Sequence, residues 1–409
     1  MHIRQKNVSG IIFTYVFVFL ITSIGFGNLI IDYTPLDPIN LTFYIVCFVL
    51  FAVGAFLGER LRYVFVRKIP ISLSAIIRCC TWFSLIGVVV CWYYNIRYWG
   101  SISYIMSHAM LIREKMIGGN ADFIPTSWSY LASLSYLGFI ASLFLFNKTY
   151  VNKKIRLRTK VYYVAINFIL VVLLDMVYFG RIGAVFSLLT LIAYLISFYP
   201  ISKLLNKKTI LLFLMVLVLV NVPRMIRGGG DLFLASMDDK IKNVNIPVNI
   251  YTAGPIINYI YYFSSPYSFN EWMDRGVGET GFTYGARTLT PFYNIMQKFY
   301  GESRITIIDE DAYIPFRHNI FSVVKDYYCD FGILGVIFIP LLIGGMCGRA
   351  MAAFYISQNV NKTDFSYGLL GVFFLSYILY APIYNILSFG KFFIPLIIIL
   401  LLSYLFRVK

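Results

Sequence analysis

Charged residues are scarce in this sequence. Asp, Glu, Lys and Arg make up 13% of the 409 residues, whereas hydrophobic residues make up 59%. A soluble domain carries roughly 25% charged residues, so this chain could not cover itself with a polar surface in water. The composition therefore excludes a soluble globular protein and indicates an integral membrane protein.

Residues that bind metals or form disulfides are also few. The sequence has three histidines and six cysteines, and no two histidines are spaced as metal ligands. Five of the cysteines fall inside apolar runs, so no disulfide framework is indicated. The adjacent acids at 309–311 cannot all face one ion and are interpreted as a solvated turn. We therefore expect neither a metal site nor a cofactor.

Long apolar runs occupy most of the chain. A helix needs about 20 mostly apolar residues to span a bilayer. Ten segments approach or exceed this length, so the sequence predicts an all-α, polytopic membrane protein. The predicted spans are residues 10–31, 41–57, 74–95, 128–147, 162–179, 182–199, 209–222, 332–354, 366–386 and 390–406.

Basic residues are unevenly divided between the two sides of the membrane. With the amino terminus in the cytoplasm, the cytoplasmic segments hold 18 Lys and Arg residues and the short outward segments hold five. Lys and Arg in short loops stay on the cytoplasmic side, so both termini are predicted to be cytoplasmic. The net charge of +16 is thereby attributed to membrane topology, and no nucleic acid partner is expected.

One long outward loop divides the predicted spans into two groups. Residues 1–222 are predicted to form an N-terminal bundle of seven helices, residues 223–330 a large periplasmic loop, and residues 331–409 a C-terminal bundle of three helices. The loop carries 12 of the 19 Asp and Glu residues. Because the cytoplasmic connections are short and poor in acids, we expect recognition and chemistry on the outward side.

Several arginines are gathered on this outward side. A guanidinium binds phosphate through a planar fork of donors and keeps its charge, so the set favours an anionic ligand. Each arginine alone could instead contact a lipid headgroup or pair with a carboxylate. Asp175, at membrane depth, is either a functional group or the partner of Arg181. The candidate substrate-binding arginines are Arg181, Arg224, Arg227, Arg275 and Arg287.

The end of the long loop holds the candidate acid–base groups. If this segment is helical, His318, Ser322, Lys325 and Asp326 share one face. A histidine near a carboxylate and beside Arg317 has the groups that proton transfer requires. The alternative interpretation is an amphipathic helix that leads into the eighth span.

The segment from Asn319 to Gly335 is an Asn-aromatic run that ends in Asp-Phe-Gly-x-x-Gly. It resembles a motif of the bacterial O-antigen polymerases, which join oligosaccharide repeat units. A Gly180–Arg181 turn between two spans, a glycine-rich element over residues 281–288 and one dominant outward loop agree with this resemblance. Some members carry paired arginine-rich loops in which Gly follows Arg by eleven positions. That spacing is missing from this sequence, so a two-loop catch-and-release scheme is not carried over.

The resemblance implies a membrane glycosyltransferase at the periplasmic face of the bacterial inner membrane. Such an enzyme transfers the growing glycan from undecaprenyl pyrophosphate to the nonreducing end of the next lipid-linked unit. A flippase and a chain-length regulator of the same pathway would be its partners. On this basis Arg181, Arg287 and Arg317 are expected to contact the donor pyrophosphate. The base would be His318 or Asp326, and Asn319 would contact substrate.

Other functions remain open at this point. An O-antigen ligase also joins a lipid-linked glycan to an acceptor through a large periplasmic loop. A lipid-linked oligosaccharide flippase would need charged groups along several spans, and few are present here. A receptor or structural membrane protein is the third alternative.

Overall fold

In the computed structural model, nine of the ten predicted spans are helical and the tenth, 209–222, lies outside the described residues. Across the described ranges the protein is helical, with two isolated β-bridges and no strand. Among the residues that the structure describes, six helices are long and apolar enough to cross a membrane. The described residues are 7–61, 72–115, 123–147, 155–199, 243–249, 251–276, 282–300, 312–314, 318, 321–359 and 365–404.

The helices fall into long apolar helices and short ones in the connections. The first eight are α1 (Val8–Phe26), α2 (Pro38–Arg60), α3 (Leu73–Trp99), α4 (Ile102–Ser107), α5 (Ala109–Lys115), α6 (Thr126–Leu143), α7 (Leu157–Val177) and α8 (Ile182–Phe198). The others in the described part of the chain are α9 (Ala253–Phe263), α10 (Ser265–Asp274), α11 (Thr290–Tyr300), α12 (Val323–Asn359), α13 (Phe365–Tyr380) and α14 (Gly390–Tyr404).

Polar residues just before the apolar runs start the first helices. The Asn7 side chain accepts a hydrogen bond from the Gly10 amide, and Asp37 accepts one from Ile39, with a proline at the first position of α2. Such side chains satisfy amides that have no partner inside the helix. Glu59, near the end of α2, accepts from the backbone amide of Val8 at 2.6 Å. It thereby joins the start of α1 to the end of α2.

Helices α2 and α12 cross with their backbones in contact. Glycines one turn apart on each helix form the crossing: Gly54 and Gly58 on α2, Gly344 and Gly348 on α12. A Cβ atom at any of the four would overlap a carbonyl oxygen of the other helix; at Gly348 this is the carbonyl of Ala55. Small residues at this spacing let membrane helices approach closely, which increases dispersion contacts.

One end of the bundle collects the connections that carry most polar groups. Helices α3 and α7 end there together, since the Asn95 side chain donates from Nδ2 to the Val177 carbonyl at 3.1 Å. Helix α12 begins where α13 ends, because the Val323 amide donates to the Ala381 carbonyl at 3.0 Å. Helices α9 and α10 pack at the same end against α1 and α2. We call this the loop end of the bundle.

Helix α12 begins earlier than predicted and is kinked. Its first residue is Val323, whereas the predicted span began at 332, and the kink lies at Phe331 and Gly332. Gly332 has a φ of 59°, a conformation that favours glycine. Because the helix begins at Val323, the continuous helical face predicted from His318 to Asp326 does not form. His318 instead pairs through its backbone with Ala312 in a short bridge.

Candidate functional site

A single carboxylate joins two segments at the loop end. Asp330, just before the kink in α12, accepts hydrogen bonds from the Arg287 amide at 3.0 Å and the Thr288 amide at 2.6 Å. The Thr283 hydroxyl also donates to this carboxylate, and the Thr283 amide donates to the Cys329 carbonyl at 3.0 Å. The glycine-rich element is therefore folded directly onto the Asp-Phe-Gly sequence.

Asp326 lies one turn before Asp330 and faces the same segment. Its carboxylate is within electrostatic range of Arg287, Lys325 and Asp330, and the Asn385 side chain approaches it. Asn385 also accepts from the Tyr377 hydroxyl at 3.1 Å and donates to the Thr288 carbonyl at 3.4 Å. We call Arg287, Lys325, Asp326, Asp330 and Asn385 the carboxylate cluster.

Lys325 brings a positive charge into aromatic surroundings. Its side chain is 2% exposed, and its Nζ atom lies 3.6 Å from the centre of the Phe321 ring and 5.5 Å from that of Trp272. An ammonium group over an aromatic face is attracted by the ring quadrupole. The aromatic rings and Asp326 therefore stabilise this charge.

A second polar cluster is built around the turn between α7 and α8. Asp175 is fully buried; one carboxylate oxygen accepts from Lys391 Nζ at 2.8 Å and the other from the Ala184 amide at 2.7 Å. The sequence left open an Asp175–Arg181 pair, but the ion pair is with Lys391 of α14. The guanidinium of Arg181 lies over the Tyr261 ring, 4.5 Å from its centre.

Arg113 also contacts this turn. Its Nη1 atom donates to the Phe179 carbonyl at 2.9 Å and lies 3.4 Å from the Tyr178 carbonyl. Burial lowers the pKa of the Arg113 guanidinium; Tyr261 opposes this, Arg181 adds to it and Asp175 opposes it. An arginine nevertheless keeps its charge. We call Arg113, Asp175, Arg181, Tyr261 and Lys391 the arginine cluster.

The last turn of α13 contacts both clusters. Tyr377 contacts the carboxylate cluster through Asn385, while Tyr380, one turn later, is within electrostatic range of Arg181 and Asp175. The segment from Asn385 to Lys391 then runs from one cluster to the other. Both clusters therefore belong to the loop end of the bundle.

The predicted site residues are distributed over several places. Asp326 and Arg287 come together in the carboxylate cluster, and Arg181 lies in the arginine cluster. Arg275 is exposed at the end of α10, with its guanidinium 5.0 Å from the centre of the Tyr313 ring. His318 is buried, and its Nε2 atom lies 2.9 Å from the Ile314 carbonyl oxygen. The remaining candidates lie outside the described residues: Arg224, Arg227, Arg317 and Asn319.

Several residues of these clusters were not singled out by the sequence as site residues. Lys391 is a lone cation at the start of a predicted span, and it could have been matched to Asp175 by their opposite charges at membrane depth. Arg113 carries no such signal, because its hydrogen-bond partners are backbone carbonyls. Asn385 carries none either, because Asp326, which it approaches, lies on a different helix. Asp330 was visible only as part of the Asp-Phe-Gly sequence.

Replacing Lys391 by methionine should destabilise the protein by about 3–5 kcal/mol, because it leaves Asp175 buried without its counter-charge. Adding Asp175→Asn should recover most of this loss, since an amide oxygen can still accept from Ala184 without a charge. The measurement is the free energy of unfolding in detergent. A double variant no more stable than Lys391→Met would show that the pair is not coupled in this way.

Within the described ranges, no group of three or more His, Cys, Asp or Glu side chains is placed to hold a metal ion. The expectation that the site works without a metal remains a prediction. Comparison of the chain with protein families, with curated proteins and with solved structures finds no match in any of the three.

Proposed function

We propose that this protein polymerises lipid-linked oligosaccharide repeat units at the outer face of the bacterial inner membrane. The observation that carries the proposal is the attachment of the glycine-rich element to Asp330. The two segments on which the resemblance to the O-antigen polymerases depends lie far apart in the sequence, yet they are in contact in the fold. Their contact places a guanidinium beside a second carboxylate, Asp326.

The carboxylate cluster contains the groups that glycosyl transfer needs. The acceptor hydroxyl oxygen attacks the anomeric carbon of the donor while the bond from that carbon to pyrophosphate breaks. The hydroxyl proton goes to a base, and the pyrophosphate leaves with the bonding electrons as the sugar gains oxocarbenium character. Arg287 and Lys325 supply positive charge for the leaving group, and Asp326 supplies the base.

Asp326 is preferred over His318 as the base for a geometric reason. The Asp326 carboxylate lies beside Arg287, so a proton acceptor and a phosphate-binding group occupy one place. The His318 imidazole is hydrogen-bonded to the Ile314 carbonyl of its own loop. His318 therefore stays the second candidate.

The function is tested by the banding pattern of surface polysaccharide after deletion of the gene. Loss of a polymerase should leave a single repeat unit on the lipid core, and the chain expressed from a plasmid should restore the long-chain ladder. Loss of a ligase would leave no unit on the core, and loss of a flippase would block export. Either of these patterns would replace the proposal with the corresponding alternative.

The orientation of the loop end is a separate part of the proposal, supported by the distribution of basic residues. Reporter fusions after Lys207 and after Glu302 should give opposite signals, the first cytoplasmic and the second periplasmic. The same signal from both fusions would contradict the predicted ten spans and the outward loop.

A further inference from the structure

The side-chain amide of Asn385 has an orientation that its neighbours fix. Its Oδ1 atom accepts a hydrogen bond from the Leu387 amide at 3.2 Å, and its Nδ2 atom donates to the Thr288 carbonyl at 3.4 Å. A backbone amide can only donate and a carbonyl can only accept, so an inverted Asn385 would lose both bonds. Because the side chain is buried, leaving these groups without partners would be costly.

Two buried tyrosines extend this order. The Tyr377 hydroxyl donates to the Oδ1 atom of Asn385 at 3.1 Å, and its oxygen lies 2.5 Å from that of Tyr327. A hydroxyl has one proton, and that of Tyr377 is given to Asn385, so the proton between the two tyrosines belongs to Tyr327. The hydrogen bonds therefore run in one direction, from Tyr327 through Tyr377 to Asn385. Such a chain polarises the amide at its end.

The donor side of this amide serves the Asp326 carboxylate. The Asn385 side chain approaches Asp326, and a carboxylate can only accept, so Nδ2 is the atom that donates to it. Asp330, one turn later, is held differently, since it accepts from the backbone amides of Arg287 and Thr288. Asp330 thus fixes the glycine-rich element, whereas Asp326 is approached by a side chain that is itself held in place.

We infer that Asn385 and Tyr377 are positioning residues for Asp326. Tyr377 fixes the amide of Asn385, and Asn385 holds the carboxylate in the orientation in which it accepts the proton of the attacking hydroxyl. A base that is oriented by a third group is a common arrangement where a hydroxyl is activated. The inference rests on the proposed function for the reaction, but the arrangement of the three side chains does not.

The first test is the rate at which the full chain in detergent polymerises purified lipid-linked repeat units. Tyr377→Phe should lower kcat by about 3- to 10-fold and leave KM unchanged, as expected for the loss of one hydrogen bond in the network. Asn385→Leu also removes the donor to Asp326 and should lower kcat by about 10- to 100-fold. A raised KM with unchanged kcat would indicate a role in substrate binding and overturn the inference.

Tyr327→Phe is the matched control at the same place. Like Tyr377→Phe, it removes a buried hydroxyl and breaks the bond between the tyrosines, but the Tyr377 proton still goes to Asn385. Its kcat should stay within about 2-fold of the wild type, because polarisation contributes only a fraction of one hydrogen bond. Equal losses of kcat in the two phenylalanine variants would show an effect of packing and overturn the inference.

A double-mutant cycle separates action through Asp326 from an independent defect. In the Asp326→Asn background, Tyr377→Phe should lower the residual rate by less than about 2-fold, because the group that it helps to orient is gone. The residual rate is measured with radiolabelled repeat units. A loss in this background as large as that in the wild-type background would overturn the inference.

The melting temperature in detergent tests the arrangement without turnover. The losses from Asn385→Leu and Asp326→Asn should not add in the double variant, because the two side chains share one interaction. Additive losses would overturn the inference, whether or not the chain polymerises. Coupled losses in a protein whose wild-type form does not polymerise would contradict only the proposed function.

Discussion

Gly348→Val should prevent the protein from accumulating in the membrane. The new side chain would overlap the Ala55 carbonyl of α2, so the two backbones would have to separate. Overpacking a close contact costs typically 1–3 kcal/mol and occasionally more, and separation would also weaken the three neighbouring glycine contacts. We therefore expect a strong loss of folded protein, measured as the amount in membranes and the melting temperature in detergent.

Gly25→Val on α1 is the matched control for this change. A Cβ atom at Gly25 has no heavy atom within 4 Å, so the same substitution there meets no obstacle. The control should accumulate normally. If both variants accumulate equally, helices α2 and α12 do not approach each other as closely as described.

Asp326→Asn should reduce the rate of polymerisation by about 10²–10⁴, because the amide has almost the same shape but cannot accept the hydroxyl proton. Arg287→Lys should reduce the rate by about 10²–10³, since a lysine keeps the charge without the planar fork. The measurement is the rate of chain formation from purified lipid-linked repeat units, with each variant first shown to insert and melt like the wild type.

His318→Gln is the comparison that decides between the two candidate bases. A glutamine amide can donate to the Ile314 carbonyl as an imidazole N–H does, so the loop should keep its structure. With Asp326 as the base, this variant should retain most of the activity. A loss in His318→Gln as large as that expected for Asp326→Asn, together with an active Asp326→Asn, would transfer the role to the histidine.

The helices could be located from the sequence because apolar runs of sufficient length have few alternatives in a membrane. Their ends were harder to predict. Helix α12 continues backwards past the apolar run to Val323, since Lys325, Asp326 and Asp330 find partners in other segments. A pattern of hydropathy contains no information about such partners.

The glycine crossing is a case in which the signal was present in the sequence but was not used. Gly54 and Gly58, like Gly344 and Gly348, have the four-residue spacing that is typical of closely packed membrane helices. The spacing within one helix identifies a face that can pack closely, but it does not identify the helix that packs against that face. Only the structure pairs α2 with α12.

The sequence identified several residues of the candidate site but not the contacts between them. Asp326, Arg287 and Arg181 were all identified as candidates, and all three lie at the loop end. The sequence could not assign them to two clusters, because Asn385 and Tyr261, which approach Asp326 and Arg181, lie far from them along the chain. Arg113 was unpredictable for a similar reason, since it is held by backbone carbonyls that any residue can provide.

The ion pair between Asp175 and Lys391 has a consequence for the order of assembly. The two residues are 216 positions apart, so the carboxylate is synthesised long before its counter-charge exists. A lone carboxylate at membrane depth is costly. Until α14 arrives, the growing chain must keep the end of α7 hydrated or close to the surface. Synthesis of α14 therefore also permits the burial of a group made 216 positions earlier.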